Sequence, residues 1–357
     1  MPLTSPPASP FDEATESRSA RIDLGAIRAN VLAFAAVDSA PLLVGVEHDA
    51  YGHGLAPVAA AAIEAGATWL AVADLDEANL LRSAGVSAPL LVTGAAPVIG
   101  HAPDDVHVAV ASAVTAAAAE RAGAAGIHPM IDCGNAPRAM AAAEAALVAA
   151  ERGIPVTGLV GVYGRGVSPA MASAALTDAK RFVEAPMGAV THLCGDDDLH
   201  PAETGDLVSI RGSAYGLPAS NGDPRGIPAL SATGRVVTVK RIRAGEGVSY
   251  GYIYRAPVDG RIAMITGGYA QGVVRSLGNR ASVSLHGRRC PIVGRVAMDV
   301  CVIDLKDTPA APGDEAVFLG DPAEGEPSVS EWMSATGMSA IELVAPLARG
   351  FHRSHRS

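Results

Sequence analysis

The chain has few aromatic residues and no excess of basic charge. Aromatic side chains make up 4% of its 357 residues, and the formal net charge is −10. Nucleic acids and anionic membranes attract basic surfaces and repel acidic ones. We therefore expect no nucleic-acid partner and no membrane partner.

Cysteines are also scarce. The four that occur are Cys133, Cys194, Cys290 and Cys301, and no two of them form a CxxC pair. This spacing is typical of neither a disulfide framework nor a zinc site, so it predicts reduced thiols, no metal site and a cytoplasmic protein. Residues 1–19 contain acids and no apolar core, which predicts a disordered lead rather than a signal peptide. No apolar run is long enough to span a bilayer.

Hydrophobic residues make up 49% of the chain, which is ample for a buried core. Eight short apolar runs alternate with stretches of helical periodicity in the first two-thirds of the chain. The runs cover residues 42–46, 69–72, 90–92, 106–110, 127–131, 159–162, 189–193 and 207–210. This alternation predicts a parallel (β/α)8 TIM-type barrel over residues 20–230.

After residue 230 the pattern changes to short runs rich in Val and Ile, separated by turn signals. These runs cover residues 235–242, 261–265, 281–285, 291–296, 301–305 and 316–319. They predict a mostly antiparallel β domain over residues 231–357, with one small helix near 329–336. A further run at 20–24 precedes the barrel and is compatible with a place in the β domain.

One segment directly after the first barrel strand carries a specific motif. Residues 46–54 read VEHDAYGHG, which resembles the alanine racemase family, whose first strand ends in VKADAYGHG or close to it. VSYG at 248–251, GGYAQG at 267–272 and PIVGRVAMD at 291–299 are similar to further motifs of that family. The resemblance extends from about residue 20 to about residue 353. It implies a barrel followed by a β domain, and a homodimer whose site lies at the subunit interface.

The resemblance also implies a chemistry. In the family, pyridoxal phosphate is held as a Schiff base to a lysine and acts as an electron sink for a carbanion. That lysine and a tyrosine from the partner subunit are the two bases. Tyr250 falls on the tyrosine base, Tyr51 on a phosphate contact, and Met298 near the substrate site.

Other matched positions depart from the family. The Schiff-base lysine falls on Glu47, and a carboxylate cannot form an imine because it has no amine. The arginine at the pyridine nitrogen falls on Ser209, with Arg211 two places on, and an acid, Asp196, replaces a serine that helps to hold the phosphate. The positions that would form the pyridoxal phosphate pocket are Tyr51, Asp196, Ser209, Arg211 and Gly212.

Positions that match residues near the family's substrate also differ from the family pattern. The substrate arginine falls on Pro137, with Arg138 one place late, and a family lysine falls on Met130. A family histidine falls on Arg165, and a tyrosine near the C-terminus falls on Arg349. These changes predict that the barrel persists and that pyridoxal phosphate is not bound covalently.

Three functions stay open. The first is a non-catalytic homologue that binds a small-molecule ligand or a partner in amino-acid or cell-wall metabolism, and the sequence favours it. The second is an isomerase or lyase of altered chemistry, with Glu47 and Tyr250 as acid and base. The third is a working amino-acid racemase for D-alanine biosynthesis that recruits another amine. The chain's lysines are Lys180, Lys240 and Lys306, and none directly follows a predicted barrel strand.

Structural roles compete with the functional ones at each of these residues. For Glu47 the favoured interpretation is a solvated or paired acid at the barrel mouth. Tyr250 is compatible with a leftover tyrosine held by hydrogen bonds. Arg138, Arg165 and Arg211 are compatible with salt bridges to the acids at 196–198.

Overall fold

The protein divides into two compact units. The computed structural model describes residues 18–36, 41–94, 100–134, 144–146, 148–149, 151–164, 167–182, 189–194 and 206–357. Residues 24–220 with 225–227 form one unit, the barrel unit. The described N-terminal residues through Asp23, together with 221–224 and 228–357, form the other, the β unit. The N-terminal strand β1, Ser19–Asp23, belongs to the β unit.

Eight parallel strands make the barrel unit. They are β2 Leu42–Gly45, β3 Trp69–Val72, β4 Leu90–Val92, β5 Val106–Val110, β6 Gly126–Asp132, β7 Gly158–Val162, β8 Val190–Cys194 and β9 Val208–Ile210. The order β8-β7-β6-β5-β4-β3-β2-β9 makes a nearly closed TIM-type barrel. At the seam, the Leu207 N–H donates to the Thr191 carbonyl at 3.0 Å. The predicted fold class is confirmed, and each predicted strand matches an observed one to within one residue at either end.

Helices precede and connect the barrel strands. The described ones are Leu24–Ala35, Leu55–Glu64, Leu75–Ser83, Ala113–Ala122 and Pro169–Phe182. Local sequence fixes where they begin: the Asp74 carboxylate accepts the Glu77 N–H at 2.9 Å, and Ser112 and Thr115 form a capping box. None of the described helices is long and apolar enough to cross a membrane.

The barrel interior is filled from alternating strand positions. Leu43, Ala71, Leu91, Ala109, Val160 and Leu207 form one buried cluster. Because alternate residues of a strand share a face, Gly45 and Ser209 are the next interior positions toward the carboxyl ends of β2 and β9. Those ends form the mouth of a barrel of this type, where strand-end residues meet a ligand.

The β unit is built on one eight-stranded sheet and a short hairpin. Its strands after β1 are β10 Leu230–Ile242, β11 Gly247–Val248, β12 Tyr254–Arg255, β13 Gly260–Thr266, β14 Ser282–Leu285, β15 Arg288–Pro291, β16 Val300–Asp304, β17 Glu315–Leu319 and β18 His352–Arg356. The order is β15-β14-β17-β10-β1-β18, with β13 pairing β10 and β16 pairing β13. Every described pairing in this sheet is antiparallel except β1 with β18.

Two features of the β unit differ from the sequence-based prediction. The predicted strand at 291–296 is wrong, since the strand is Arg288–Pro291 and only an isolated bridge at Ile292 follows it. The chain turns at Gly294, whose φ is +76° and whose missing Cβ would lie 2.8 Å from the Ser249 Cβ. A second helix, Ala340–Gly350, was not predicted and follows the predicted helix Val329–Thr336.

Candidate functional site

The segment after β2 forms one left-handed turn at the barrel mouth. His48, Asp49, Ala50 and Tyr51 all have φ between +51° and +59°. L-residues disfavour this conformation by about 1–2 kcal/mol each, so other contacts must hold it. The Glu77 carboxylate accepts the backbone N–H groups of His48 at 3.2 Å and Asp49 at 2.6 Å, and Asp49 Oδ1 accepts the Leu55 N–H at 2.8 Å.

This turn places Glu47 and Tyr51 side by side. Glu47 is 6% exposed. The Tyr51 hydroxyl donates to its Oε2 at 2.8 Å, the Thr93 hydroxyl donates to its Oε1 at 3.1 Å, and Arg211 Nη2 lies 3.2 Å from Oε1. Both carboxylate oxygens therefore have donors, and the side chain is a paired acid.

Gly45 provides the space for this carboxylate. A Cβ at Gly45 would lie 2.6 Å from Glu47 Oε2 and 2.8 Å from Arg211 Cγ. Such contacts are too short for real atoms, so any larger residue at 45 would displace the ion pair. The ion pair at the end of β2 therefore depends on the absence of a side chain at residue 45.

Two tyrosines support the same cluster. Burial raises the pKa of Tyr51 well above its ordinary value, and the neighbouring Glu47 carboxylate raises it further. Tyr51 is therefore a protonated donor. The fully buried Tyr215 packs edge-on against Tyr51, with ring centroids 5.3 Å apart, and donates its hydroxyl proton to the Gly45 carbonyl at 2.8 Å.

Arg211 links the end of β9 to the ends of its two neighbours, β2 and β8. It directly precedes the 3-10 turn Gly212–Tyr215, and its side chain is 25% exposed. Besides pairing with Glu47, its Nη1 donates to the Sγ of Cys194 at the end of β8. Ser209, two residues earlier on the interior face, is buried.

The structure brings Glu47, Tyr51 and Arg211 together among the residues singled out from sequence. Tyr250 and Met298 lie in the β unit and are 70% and 54% exposed. Arg138, Arg165 and Asp196 lie outside the described residues.

The sequence reasoning missed Thr93 and Tyr215. Thr93 directly follows β4, so its strand-end position was a usable signal. Tyr215 has no such signal, because its role depends on how the 3-10 turn after β9 folds back toward Gly45.

Two histidines lie inside the barrel, in the middle part of their strands. His128 and His192 are 0% and 1% exposed, and their ring centroids are 5.8 Å apart. Neither ring has a hydrogen-bond partner for its nitrogens among the described residues. Burial, with the charge of Arg211, lowers the pKa of His192 to about 3, and burial lowers that of His128 well below its ordinary value. Both rings are therefore neutral at physiological pH.

None of the chain's three lysines, all of which the structure describes, directly follows a barrel strand. Lys180 lies on the helix Pro169–Phe182 and pairs with Asp206 at 3.2 Å. Lys240 and Lys306 lie in the β unit, on β10 and after β16. In the described ranges, no group of three or more histidine, cysteine or acidic side chains is placed to hold a metal ion.

The chain is similar to known proteins over nearly its whole length. Residues 22–214 match the family model for the alanine racemase N-terminal domain, and residues 229–355 match the one for the alanine racemase C-terminal domain. A relative named alanine racemase from Mycobacterium leprae is 37% identical, with 94% of each chain covered. One of the same name from Salinispora arenicola is 34% identical, covering 91% of this chain and 94% of that one.

Solved structures agree with the sequence comparisons. The crystal structure of alanine racemase from Streptomyces lavendulae, a producer of D-cycloserine, superposes with a TM-score of 0.84 at 31% identity, covering 96% of this chain and 97% of that one. The two family models together cover both units. The relatives and the Streptomyces lavendulae structure each match more than nine-tenths of the chain. The chain therefore belongs to the alanine racemase family.

Proposed function

We propose that this chain is an alanine racemase homologue without lysine-dependent pyridoxal phosphate chemistry, and that its barrel mouth serves small-molecule binding without racemisation. The observation that carries the proposal is the state of Glu47. At the position that matches the family's Schiff-base lysine stands a buried carboxylate with three donors within 3.2 Å.

The residues at the mouth do not fit covalently held pyridoxal phosphate. The cofactor supplies an electron sink, and it needs an amine to hold it as an imine. Glu47 supplies no amine. Arg211, the arginine nearest to the matched pyridine position, is engaged by Glu47 and Cys194.

An acid/base role for Glu47 has less support than a structural one. A general base needs an oxygen directed at the proton it abstracts. Here both oxygens accept hydrogen bonds from the protein, which disfavours an isomerase or lyase that uses Glu47 with Tyr250.

Amino-acid racemisation is the second candidate, and the comparisons favour it over the first. The relatives named alanine racemase are 34–37% identical over nearly the whole chain. This candidate requires an imine on Lys180, Lys240 or Lys306. The ion pair of Lys180 with Asp206 counts against it, and neither Lys240 on β10 nor Lys306 after β16 directly follows a barrel strand.

One experiment separates the two candidates. Pyridoxal phosphate is added to the purified protein, the visible absorbance is recorded, borohydride is added, and peptides are mapped by mass spectrometry. In parallel, L-alanine is incubated with the mixture and its enantiomers are separated. We expect no imine band, no reduced adduct on a lysine and no D-alanine. An adduct accompanied by D-alanine would establish the second candidate and refute the first.

We also propose that the protein forms a homodimer, as the family resemblance implies. The β unit exposes a run of apolar side chains at Tyr250, Tyr252 and Ile253, which are 70%, 62% and 52% exposed. Exposed apolar groups of this size are typical of interaction surfaces. Light scattering on the purified protein should give twice the 36.0 kDa mass of the chain, and a monomer mass would contradict the proposal.

A further inference from the structure

The β unit contains a groove remote in sequence from the racemase motifs of the barrel. It encloses about 1030 Å³ and is formed by the end of β10, the turn after it, the start of β13 and the segment after β16. Four cationic side chains line it: Arg241, Arg243, Arg261 and Lys306. The groove therefore combines room for a small molecule with four cationic side chains, and four acidic side chains line it as well.

Two of these cations are direct cross-strand neighbours. Arg241 of β10 pairs in register with Arg261 of β13 in the antiparallel ladder. Directly opposed residues project from the same face of a sheet, where like charges repel and destabilise the pair. The juxtaposition therefore costs folding free energy, and an anion bound between the two side chains would offset that cost.

Acids share the groove with these cations but form no direct ion pairs with them in the described part of the chain. Among the described residues, which include all of 206–357, none of the four forms an ion pair with a carboxylate. Arg261 Nη2 donates to the Ala310 carbonyl at 3.3 Å. The guanidinium groups thus keep most of their donors for a ligand.

Carboxylates do line the groove, but the turns use them. Glu246 accepts the Arg243 N–H at 2.9 Å, Asp259 accepts the Ala244 N–H at 2.8 Å, and Asp304 accepts the Lys306 N–H at 3.0 Å. Asp307 is the fourth acid of the lining. Three of the four acids are therefore oriented toward backbone N–H groups and not toward the guanidinium groups.

We propose that this groove binds a phosphoryl oxyanion, with Arg241 and Arg261 as a clamp of two guanidinium groups. Guanidinium groups present planar forks of donors that match phosphate oxygens, and two of them on one face place charge and hydrogen bonds together. An anion between them removes their mutual repulsion. The oxyanion is either inorganic phosphate or the phosphoryl group of a small metabolite.

The test uses the whole chain and phosphate itself. Thermal unfolding and isothermal titration calorimetry are run with inorganic phosphate and with glycerol phosphate, against sodium chloride of equal ionic strength. We expect saturable stabilisation by phosphate that chloride does not reproduce. Tighter binding of glycerol phosphate would identify a phosphorylated metabolite as the source, and tighter binding of inorganic phosphate would identify the free ion.

Matched variants locate the site. Arg241→Gln and Arg261→Gln should each weaken phosphate binding at least tenfold. Lys240→Gln removes the same charge from the adjacent position, which projects from the opposite face and does not line the groove, so binding should stay within twofold. Without phosphate, Arg241→Gln should raise Tm because it removes the like-charge pair.

Three outcomes overturn the proposal. They are the absence of any saturable phosphate effect in the parent protein, equal weakening by Lys240→Gln, and unchanged binding in Arg241→Gln and Arg261→Gln. A lower Tm of Arg241→Gln without phosphate would equally contradict the repulsion on which the clamp is argued.

Discussion

At the barrel mouth, the Glu47 carboxylate has two hydroxyl donors and a guanidinium within 3.2 Å. Deeper in the same barrel, His128 and His192 are as fully buried but have no hydrogen-bond partner among the described residues. The mouth therefore holds a charge, whereas the interior holds its titratable groups neutral. The contrast follows from position, since strand ends meet turns and polar side chains, while strand centres meet other strands.

The free energy of unfolding should therefore depend on different changes in the two regions. At the mouth, a charged network is sensitive to the loss of any one partner. In the interior, neutral imidazoles are sensitive to protonation, because a buried unpaired charge is costly. The mouth should thus respond to mutation, and the interior to pH.

The largest expected effect is acid destabilisation through the interior histidines. Their pKa values are lowered in the folded state, to about 3 for His192, so only the unfolded chain takes up protons as pH falls below about 6.5. The contribution of His192 to stability is complete above about pH 6.5 and is lost as pH falls toward 3, at about 1.4 kcal/mol per pH unit in that window. His128 acts in the same direction. Urea unfolding between pH 7.5 and pH 4.5 measures this slope.

Replacing His192 tests whether a buried neutral ring causes the loss of stability in acid. His192→Leu removes one group that titrates on unfolding, so the variant should lose stability less steeply with acid than the parent. His101→Gln changes an exposed histidine of the same unit and should leave the slope unchanged. Equal slopes for His192→Leu and the parent would contradict the account of a buried neutral ring.

The next largest effect is expected from Glu47→Ala. It leaves Arg211, whose side chain is only 25% exposed, beside two hydroxyls without a counter-charge. Breaking such a pair should lower the free energy of unfolding by about 3 kcal/mol. Urea unfolding at pH 7.5 measures the loss. Glu47→Gln keeps an acceptor for Tyr51 and Thr93, so it should lose less, and an equal loss would argue against the charge as the cause.

Gly45→Ala tests the packing beneath the ion pair. Its Cβ would press on Glu47 Oε2 and Arg211 Cγ, so it should cost about 2 kcal/mol, within the range for overpacked sites. The cost should be smaller in a Glu47→Ala background, because one of the clashing groups is gone. A double-mutant cycle measures that coupling, and additive effects would contradict the proposed packing.

The smallest effect is expected from Gly52→Ala, at the end of the left-handed turn. Gly52 has a φ of +84°, which an alanine adopts at a cost of about 1 kcal/mol. Gly164→Ala is the control, because its φ is not positive and its Cβ would meet nothing within 4 Å. Thermal unfolding of both variants gives the comparison, and equal Tm values would contradict the strain assigned to residue 52.

Much of the fold could be read from the sequence, because buried parallel strands are short apolar runs with helical stretches between them. The runs at Trp69–Val72 and Val106–Val110 coincide with observed strands. The strand predicted at 291–296 failed because apolar residues there pack in an irregular turn around Gly294. Apolar content indicates burial, and it does not by itself indicate an extended backbone.

The motif and the strand ends predicted which residues lie at the site, but not how they pair. Glu47, Tyr51 and Arg211 were singled out, and the structure brings them together. Their pairing was not predictable, because it depends on the left-handed turn at 48–51 and on the space above Gly45. The neutral histidines were missed because nothing in a β-strand pattern distinguishes a buried polar ring from a packed apolar one.

We propose that the whole mouth, and not Glu47 alone, has departed from pyridoxal phosphate chemistry. Glu47→Lys tests it most directly, with folding checked by circular dichroism, imine absorbance recorded with pyridoxal phosphate, and alanine enantiomers separated. We predict no D-alanine, because the new ammonium faces Arg211. The family resemblance also implies that Ser209 replaces the pyridine arginine and that Asp196 replaces a serine that helps to hold the phosphate. Appreciable racemisation of alanine by this variant would contradict the claim.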